Sequence, residues 1–169
     1  MSRPRPITAG RERPVNLAVL MREAFITLND LVIGRLTERG HADVRPAHGT
    51  VFQYLDDTGT TVSVLADRAQ MTKQAMAELV RHLETHGYLE RIPDPNDRRA
   101  KLVLPTEKGR EVIAIAQSLV PELEEQVTQI LGAERVTALR TDLDAIRRLA
   151  ATPMSQSRQQ VSEHCFLTP

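Results

Sequence analysis

Apolar positions recur at helical spacing over most of this chain. Leu17, Leu20, Ala24, Leu28, Leu31 and Val32 fall on one stripe, which predicts a long helix over Val15–Arg39. A shorter helix is predicted over Pro46–Leu55, with Val51, Phe52 and Leu55 apolar. A third, Val62–Ala69, ends at a tight break at Gln70-Met71, and a fourth runs from Thr72 to Thr85. In the fourth, Thr72 has the chemistry of an N-cap, and Gly87 stands where a left-handed residue closes a helix. At roughly 100° per residue, Ala75, Met76, Leu79, Val80 and Leu83 share one face of this helix. Lys73, Gln74, Ala77, Glu78 and Arg81 share the other.

Beyond Gly87 the pattern predicts a hairpin. Its tip is Asp94-Pro95-Asn96-Asp97-Arg98-Arg99 and it returns through Lys101–Leu104. Pro pre-sets φ there, Asp and Asn tolerate tight bends, and Asp97 is placed to pair with Arg98 or Arg99. Thr106 then caps a second long helix, with Val112, Ile115, Ala116, Leu119, Leu123, Val127 and Ile130 at helical spacing. Pro121 is expected to kink or briefly interrupt it. A final helix, Ala133–Ala150, carries Val136, Leu139, Leu143, Ile146 and Leu149. The predicted fold class is mainly α with a small β-hairpin wing, a winged helix-turn-helix flanked by long N- and C-terminal helices.

That order of elements suits a DNA reader: one helix to lie in a groove, one to brace it, and a basic hairpin to reach sideways. On the fourth helix the candidate contacts are Thr72, Lys73, Gln74, Ala77 and Arg81. Gln pairs with adenine and Arg with guanine, while a small Ala lets the backbone approach and touches a thymine methyl. At the wing tip, Arg98 and Arg99 suit the minor groove, whose negative potential attracts guanidinium groups. A solvated polar face accounts for any one of these residues, but poorly for the whole ordered set.

Composition narrows the class. With 169 residues, 41% hydrophobic, the chain can bury a real core, and 3% aromatic content with no Trp makes that core aliphatic. No apolar run approaches the ~20 residues needed to span a bilayer. The basic start MSRPRPITAGRERP lacks an apolar signal core, and the single cysteine, Cys165, fits a reducing compartment, so a cytoplasmic location is expected. Net charge is zero, yet unevenly spread. Residues 1–14 carry four arginines against Glu12, residues 61–110 nine cations against seven anions, and residues 111–150 four against seven. Such a modest basic footprint calls for a dimer presenting two sites. The surplus apolar stripe of the flanking helices offers the means, although an intramolecular bundle would also cover it.

The chain resembles the MarR-type (multiple-antibiotic-resistance regulator) winged-helix transcription factors. The matching stretches are Met71-Thr72-Lys73-Gln74, Leu83-Glu84-x-x-Gly87-Tyr88, Asp94-Pro95-x-Asp97-Arg98-Arg99-Ala100-Lys101 and Val103-Leu104-x-Thr106-x-x-Gly109. The likeness is close from about Val62 to Arg110, and at the level of helix pattern from Val15 to Ala151. Ala77 and Glu78 depart from it, standing where members often place a basic or hydroxyl residue. The resemblance implies a single domain over 15–151, with its winged helix-turn-helix at 46–110 and dimerisation helices at 15–39 and 106–150. Residues 1–14 are then a basic arm and residues 152–169 a mostly polar tail, ending near Phe166 and Leu167. Both ends are expected to be disordered in isolation.

The resemblance further implies a homodimer that binds a pseudo-palindromic operator, usually as a repressor. A small aromatic or amphipathic effector would sit between the dimerisation helices and the DNA reader. Arg45, His48 and Tyr54, with His41, lie near that expected cleft and are the candidate ligand contacts. The alternative is a winged-helix protein-interaction module without sequence-specific DNA binding, motivated by the zero net charge and Glu78. No HExxH, CxxC or Gly-rich phosphate loop occurs, so neither enzyme activity nor a cofactor is expected. His82 and His86 lie one helical turn apart but lack an evident third ligand, so no metal is expected. Nothing near Cys165 marks it as a lowered-pKa redox sensor.

Overall fold

The computed structural model describes residues 7–8, 11–12, 16–97 and 99–149. Arg98, most of the basic arm and the tail with Cys165, Phe166 and Leu167 lie outside the described residues. In the arm, β1 (Ile7–Thr8) pairs antiparallel with β2 (Arg11–Glu12), a backbone pairing that the expectation of disorder does not include. Among the described residues, six α-helices and a second two-stranded sheet follow. They are α1 (Leu17–Glu38), α2 (Gly49–Tyr54), α3 (Val62–Arg68), α4 (Lys73–Thr85), β3 (Leu89–Pro93), β4 (Lys101–Pro105), α5 (Glu107–Leu131) and α6 (Ala133–Leu149). The chain divides into two compact units, residues 1–120 and 121–169, with the boundary inside α5.

In the first unit, local capping sets most helix starts. The Asn16, Thr61 and Thr72 side chains accept from the backbone N–H of Val19, Val64 and Ala75, so α1, α3 and α4 each satisfy one orphan donor. The helix predicted over Pro46–Leu55 is in fact two pieces, a 3-10 turn at Pro46–His48 and then α2. Two i→i+3 hydrogen bonds explain the tightening. The His48 N–H donates to the Arg45 carbonyl at 2.9 Å, and the Arg45 N–H donates to His48 Nδ1 at 3.0 Å.

The core joins Val51, Leu65, Ala66, Met76, Val80, Leu83, Tyr88, Leu89, Val103 and Val112, each 2% exposed or less. α3 and α4 pack together, as the apolar face of α4 requires: Met76, Val80 and Leu83 are buried on it. In contrast, the stripe of α1 is open, with Leu17, Leu20, Phe25, Leu28 and Leu31 exposed and only Leu36 buried.

The second unit holds the end of α5 and α6. Gly132, at φ +83°, makes the left-handed turn between them, and its N–H donates to the Thr128 carbonyl at 2.7 Å. Arg140 pairs with Glu124 at 2.7 Å across the two helices. Leu139 and Leu143 on α6 are 40% and 41% exposed, and Ile130 on α5 is 80% exposed. α5 is continuous through Pro121, so the expected interruption is absent. A proline removes one N–H, and a helix of 25 residues keeps its remaining bonds on both sides of that gap. No helix among the described residues is long and apolar enough to cross a membrane.

Candidate nucleic-acid interface

α3 and α4 are joined by a turn with no glycine. Gln70 takes φ +53° there, while the Met71 N–H reaches back to the Ala66 carbonyl at 2.9 Å. A left-handed non-glycine residue costs roughly 1–2 kcal/mol, offset in part by the Gln70 side-chain amide, which donates to the Asp67 carbonyl at 2.9 Å. The turn sets α4 across α3, leaving Thr72, Lys73, Gln74, Glu78 and Arg81 exposed and Ala77 half-buried. The residues predicted from helical spacing to share a face do so. Gln74 also donates through Nε2 to Glu78 Oε1 at 3.5 Å, tying two members of that face together.

Beside α4 stands the wing. β3 and β4 pair from Leu89↔Pro105 to Pro93↔Lys101, and Thr60 bridges to Val103 by two mutual backbone bonds of 3.0 Å. That bridge, which sequence periodicity does not reveal, makes β4 the middle of three backbone segments and ties the wing to the approach to α3. It is held further by Asp56, whose carboxylate accepts from Thr60 Oγ1 at 3.1 Å and from Arg68 Nη1 at 2.8 Å. At the tip, Asp94 accepts from the Asn96 N–H at 2.8 Å and Asp97 from the Arg99 N–H at 2.9 Å. The sequence suggests that Asp97 pairs with an arginine side chain. For Arg99 the structure corrects this: the short carboxylate reaches the backbone amide two residues on, an Asx turn, and Arg99 remains exposed.

The base of the wing is locked from the other side. Thr106 Oγ1 donates to the Gly87 carbonyl at 2.7 Å and accepts from the Gly109 N–H at 3.2 Å, confirming it as a cap of α5. The Thr106 N–H donates to the Tyr88 carbonyl at 3.0 Å, and Lys108 Nζ lies 4.1 Å from the centre of the buried Tyr88 ring. Glu84 on α4 pairs with Arg91 on β3 at 3.3 Å.

At the far end of α4, three imidazoles stand in a row that helix spacing alone does not reveal. His48 stacks on His82 with centroids 4.5 Å apart, and His82 lies 4.2 Å from His86. His82 Nε2 donates to the Asp43 carbonyl at 3.0 Å, His86 Nδ1 to the His82 carbonyl at 2.8 Å, and His86 Nε2 faces Asp43 Oδ1 at 3.6 Å. The nitrogens thus point to separate partners, and among the described residues no group of three His, Cys, Asp or Glu side chains is arranged to hold a metal ion. Of the candidate ligand contacts, His48 is buried in this stack, Arg45 is exposed, and Tyr54 is half-buried, with its carbonyl accepting from Arg68 at 2.8 Å. His41 is buried as well, 3.6 Å from Glu111 and facing Tyr88.

Burial holds His48 down to a pKa of about 4 from 6.5, helped by neighbouring His82, Arg45 and His86. The groups facing it are therefore three potential cations, with Asp43 beside His82 and His86. At neutral pH, folded and unfolded chains both carry the uncharged ring. Between about pH 6.5 and 4 only the unfolded chain takes up the proton, so stability falls as pH falls through that window. A loss on the order of 2 kcal/mol is expected, seen as declining urea midpoints. His48→Gln should flatten that decline, and an unchanged pH dependence would show that His48 is not its source.

Comparison with known proteins agrees with this geometry. Residues 42–100 match the model of the MarR family. The transcriptional activator of exopolysaccharide II synthesis ExpG of Rhizobium meliloti is 28% identical over 98 residues, 58% of this chain and 50% of that protein. The transcriptional regulator HosA of Escherichia coli O111:H- is 27% identical over 90 residues, 53% of this chain and 67% of that protein. The chain thus spans half to two thirds of the length of these two relatives. The MepR–DNA complex of S. aureus superposes with a TM-score of 0.66 at 20% identity, over 82% of this chain and 100% of that one, which places the fold among winged helices. Over residues 42–100, which hold most of its winged helix-turn-helix, this chain is thus similar to regulators of the MarR family.

Proposed function

We propose that this protein is a cytoplasmic, DNA-binding transcriptional regulator, not an enzyme, that acts as a homodimer on a pseudo-palindromic operator. The observation that carries the reading is the joint exposure of Thr72, Lys73, Gln74 and Arg81 on α4 beside a wing whose tip leaves Arg99 in solvent. α4 enters the major groove and the wing reaches the minor groove. The exposed stripe of α1 and, separately, the exposed Leu139 and Leu143 of α6 are the surfaces that a second copy would cover. Regulation is repression relieved by a small aromatic or amphipathic effector near Arg45, His48 and Tyr54. Such an effector must bind free and DNA-bound protein with different affinity.

The wing and α4 make different contributions, and titration against salt separates them. Arg98→Ala or Arg99→Ala should weaken binding to most sequences and lower the salt slope by about one unit for each phosphate no longer neutralised. Gln74→Ala should instead relax preference at one base pair per half-site, by roughly 1–3 kcal/mol. Duplexes from the gene's own genomic neighbourhood, with a scrambled control, are the direct trial. If both arginine variants keep full affinity and slope, the wing does not touch DNA. An interaction module, favoured by Glu78 on the α4 face, then becomes the better reading.

A further inference from the structure

The exposed face of α4 carries one anion. Glu78 lies one turn beyond Gln74 and one turn before Arg81, and it makes no ion pair among the described residues. Its partner there is the neutral Gln74 amide, which donates to Glu78 Oε1 at 3.5 Å. A carboxylate on a surface meant to approach phosphates is unfavourable unless it meets a donor in the groove. The major groove offers the required donor only as an exocyclic amino group: cytosine N4 or adenine N6.

The two amino groups differ in their surroundings. Adenine N6 lies beside N7, an acceptor that repels a carboxylate, whereas cytosine presents N4 as its sole polar group in the major groove. Thymine O4 and guanine O6 and N7 are acceptors, and facing them would leave Glu78 desolvated and unpaired. Gln74, meanwhile, has one N–H engaged by Glu78 and keeps its second N–H and its carbonyl oxygen, the pair of groups that reads adenine. Glu78 thereby also orients the Gln74 amide, whose oxygen turns away from the carboxylate. The bonded ends of the two side chains lie 3.5 Å apart, close to the roughly 3.4 Å rise between base pairs, so they reach adjacent base pairs.

Resting on the reading of α4 as the recognition helix, we infer that Glu78 is a specificity residue that selects a cytosine in each half-site, next to the base pair read by Gln74. The charge acts mainly by rejection. It lowers affinity for DNA in general while sparing the one arrangement that supplies an amino donor. A chain with no net charge and a modest basic footprint then gains discrimination from weak non-specific binding rather than from strong contacts.

The test uses the full-length protein and its Glu78→Gln and Glu78→Ala variants. Both substitutions place a good helix former at an exposed site, so the fold is retained. Duplexes are selected from a randomised pool by each protein, sequenced, and titrated by anisotropy. The wild type should recover sites with an invariant cytosine per half-site and lose about tenfold affinity when it is changed to thymine. Glu78→Ala should lose that preference, bind both duplexes within about twofold of each other, and bind scrambled DNA several-fold more tightly than the wild type. If the wild type selects a site without a cytosine requirement, or Glu78→Ala keeps the same requirement, the role of Glu78 falls while DNA reading stands. If the wild type recovers no preferred sequence at all, the recognition-helix reading falls with it.

Discussion

Placing aspartate at both Leu139 and Leu143 is expected to abolish the proposed dimer and, with it, the proposed hold on an operator. The two side chains project from α6 one turn apart, each about two-fifths exposed, on the apolar stripe they share with Val136 and Ile146. Burying a leucine contributes roughly 1.5–3 kcal/mol, and a twofold interface would use both residues in each copy. Since about two-fifths of each side chain remains to be covered, their loss removes roughly 2–5 kcal/mol before the cost of confining four carboxylates is counted. A change of that size shifts a dimer constant by roughly two to three orders of magnitude. Sedimentation at micromolar concentration, with circular dichroism to establish that helices persist, is the measurement. A wild type that sediments as a monomer under those conditions removes the dimer from the proposal. A double variant that stays dimeric moves the interface off α6.

Gly109→Ala is expected to destabilise the first unit by roughly 3 kcal/mol, against the usual trend. In an ordinary helix the same exchange stabilises by about 1 kcal/mol, because alanine restricts the unfolded chain and favours the helix. Here Gly109 is buried in the first turn of α5, where a Cβ would collide with the Tyr88 carbonyl oxygen and crowd Pro105 Cβ at 3.3 Å. That carbonyl is backbone and already accepts from the Thr106 N–H, so it cannot swing aside as a side chain would. Relief requires α5 to lift away from the base of the wing, breaking the bonds through which Thr106 joins Gly87, Tyr88 and Gly109. Urea denaturation distinguishes the outcomes by sign: a variant more stable than the wild type would mean that the close approach is not maintained in solution. Because the same approach sets the wing against α4, a folded Gly109→Ala protein should also bind DNA more weakly.

The elements of the winged helix-turn-helix were legible because their signals are local. Thr72 caps the helix that follows it, Gly87 takes φ +74° at the end of α4, and the run from Asp94 to Asp97 bends the wing tip. The amphipathic spacing of α4 needs only its own thirteen residues to say which face is buried. Other features depend on groups far apart in the chain, and no spacing rule reaches them. His48 meets His82 across 34 positions because the 3-10 turn at Pro46 brings the start of α2 against the end of α4. Thr60 joins Val103, and Tyr88 receives Lys108 and closes on Gly109. The open stripes lie between these cases. Periodicity identifies Leu28 and Leu31 of α1 as apolar, but their exposure is a property of what packs nearby. Local hydrogen bonding and helical periodicity are written residue by residue, whereas burial, pKa and close approach arise only when distant segments share the same space.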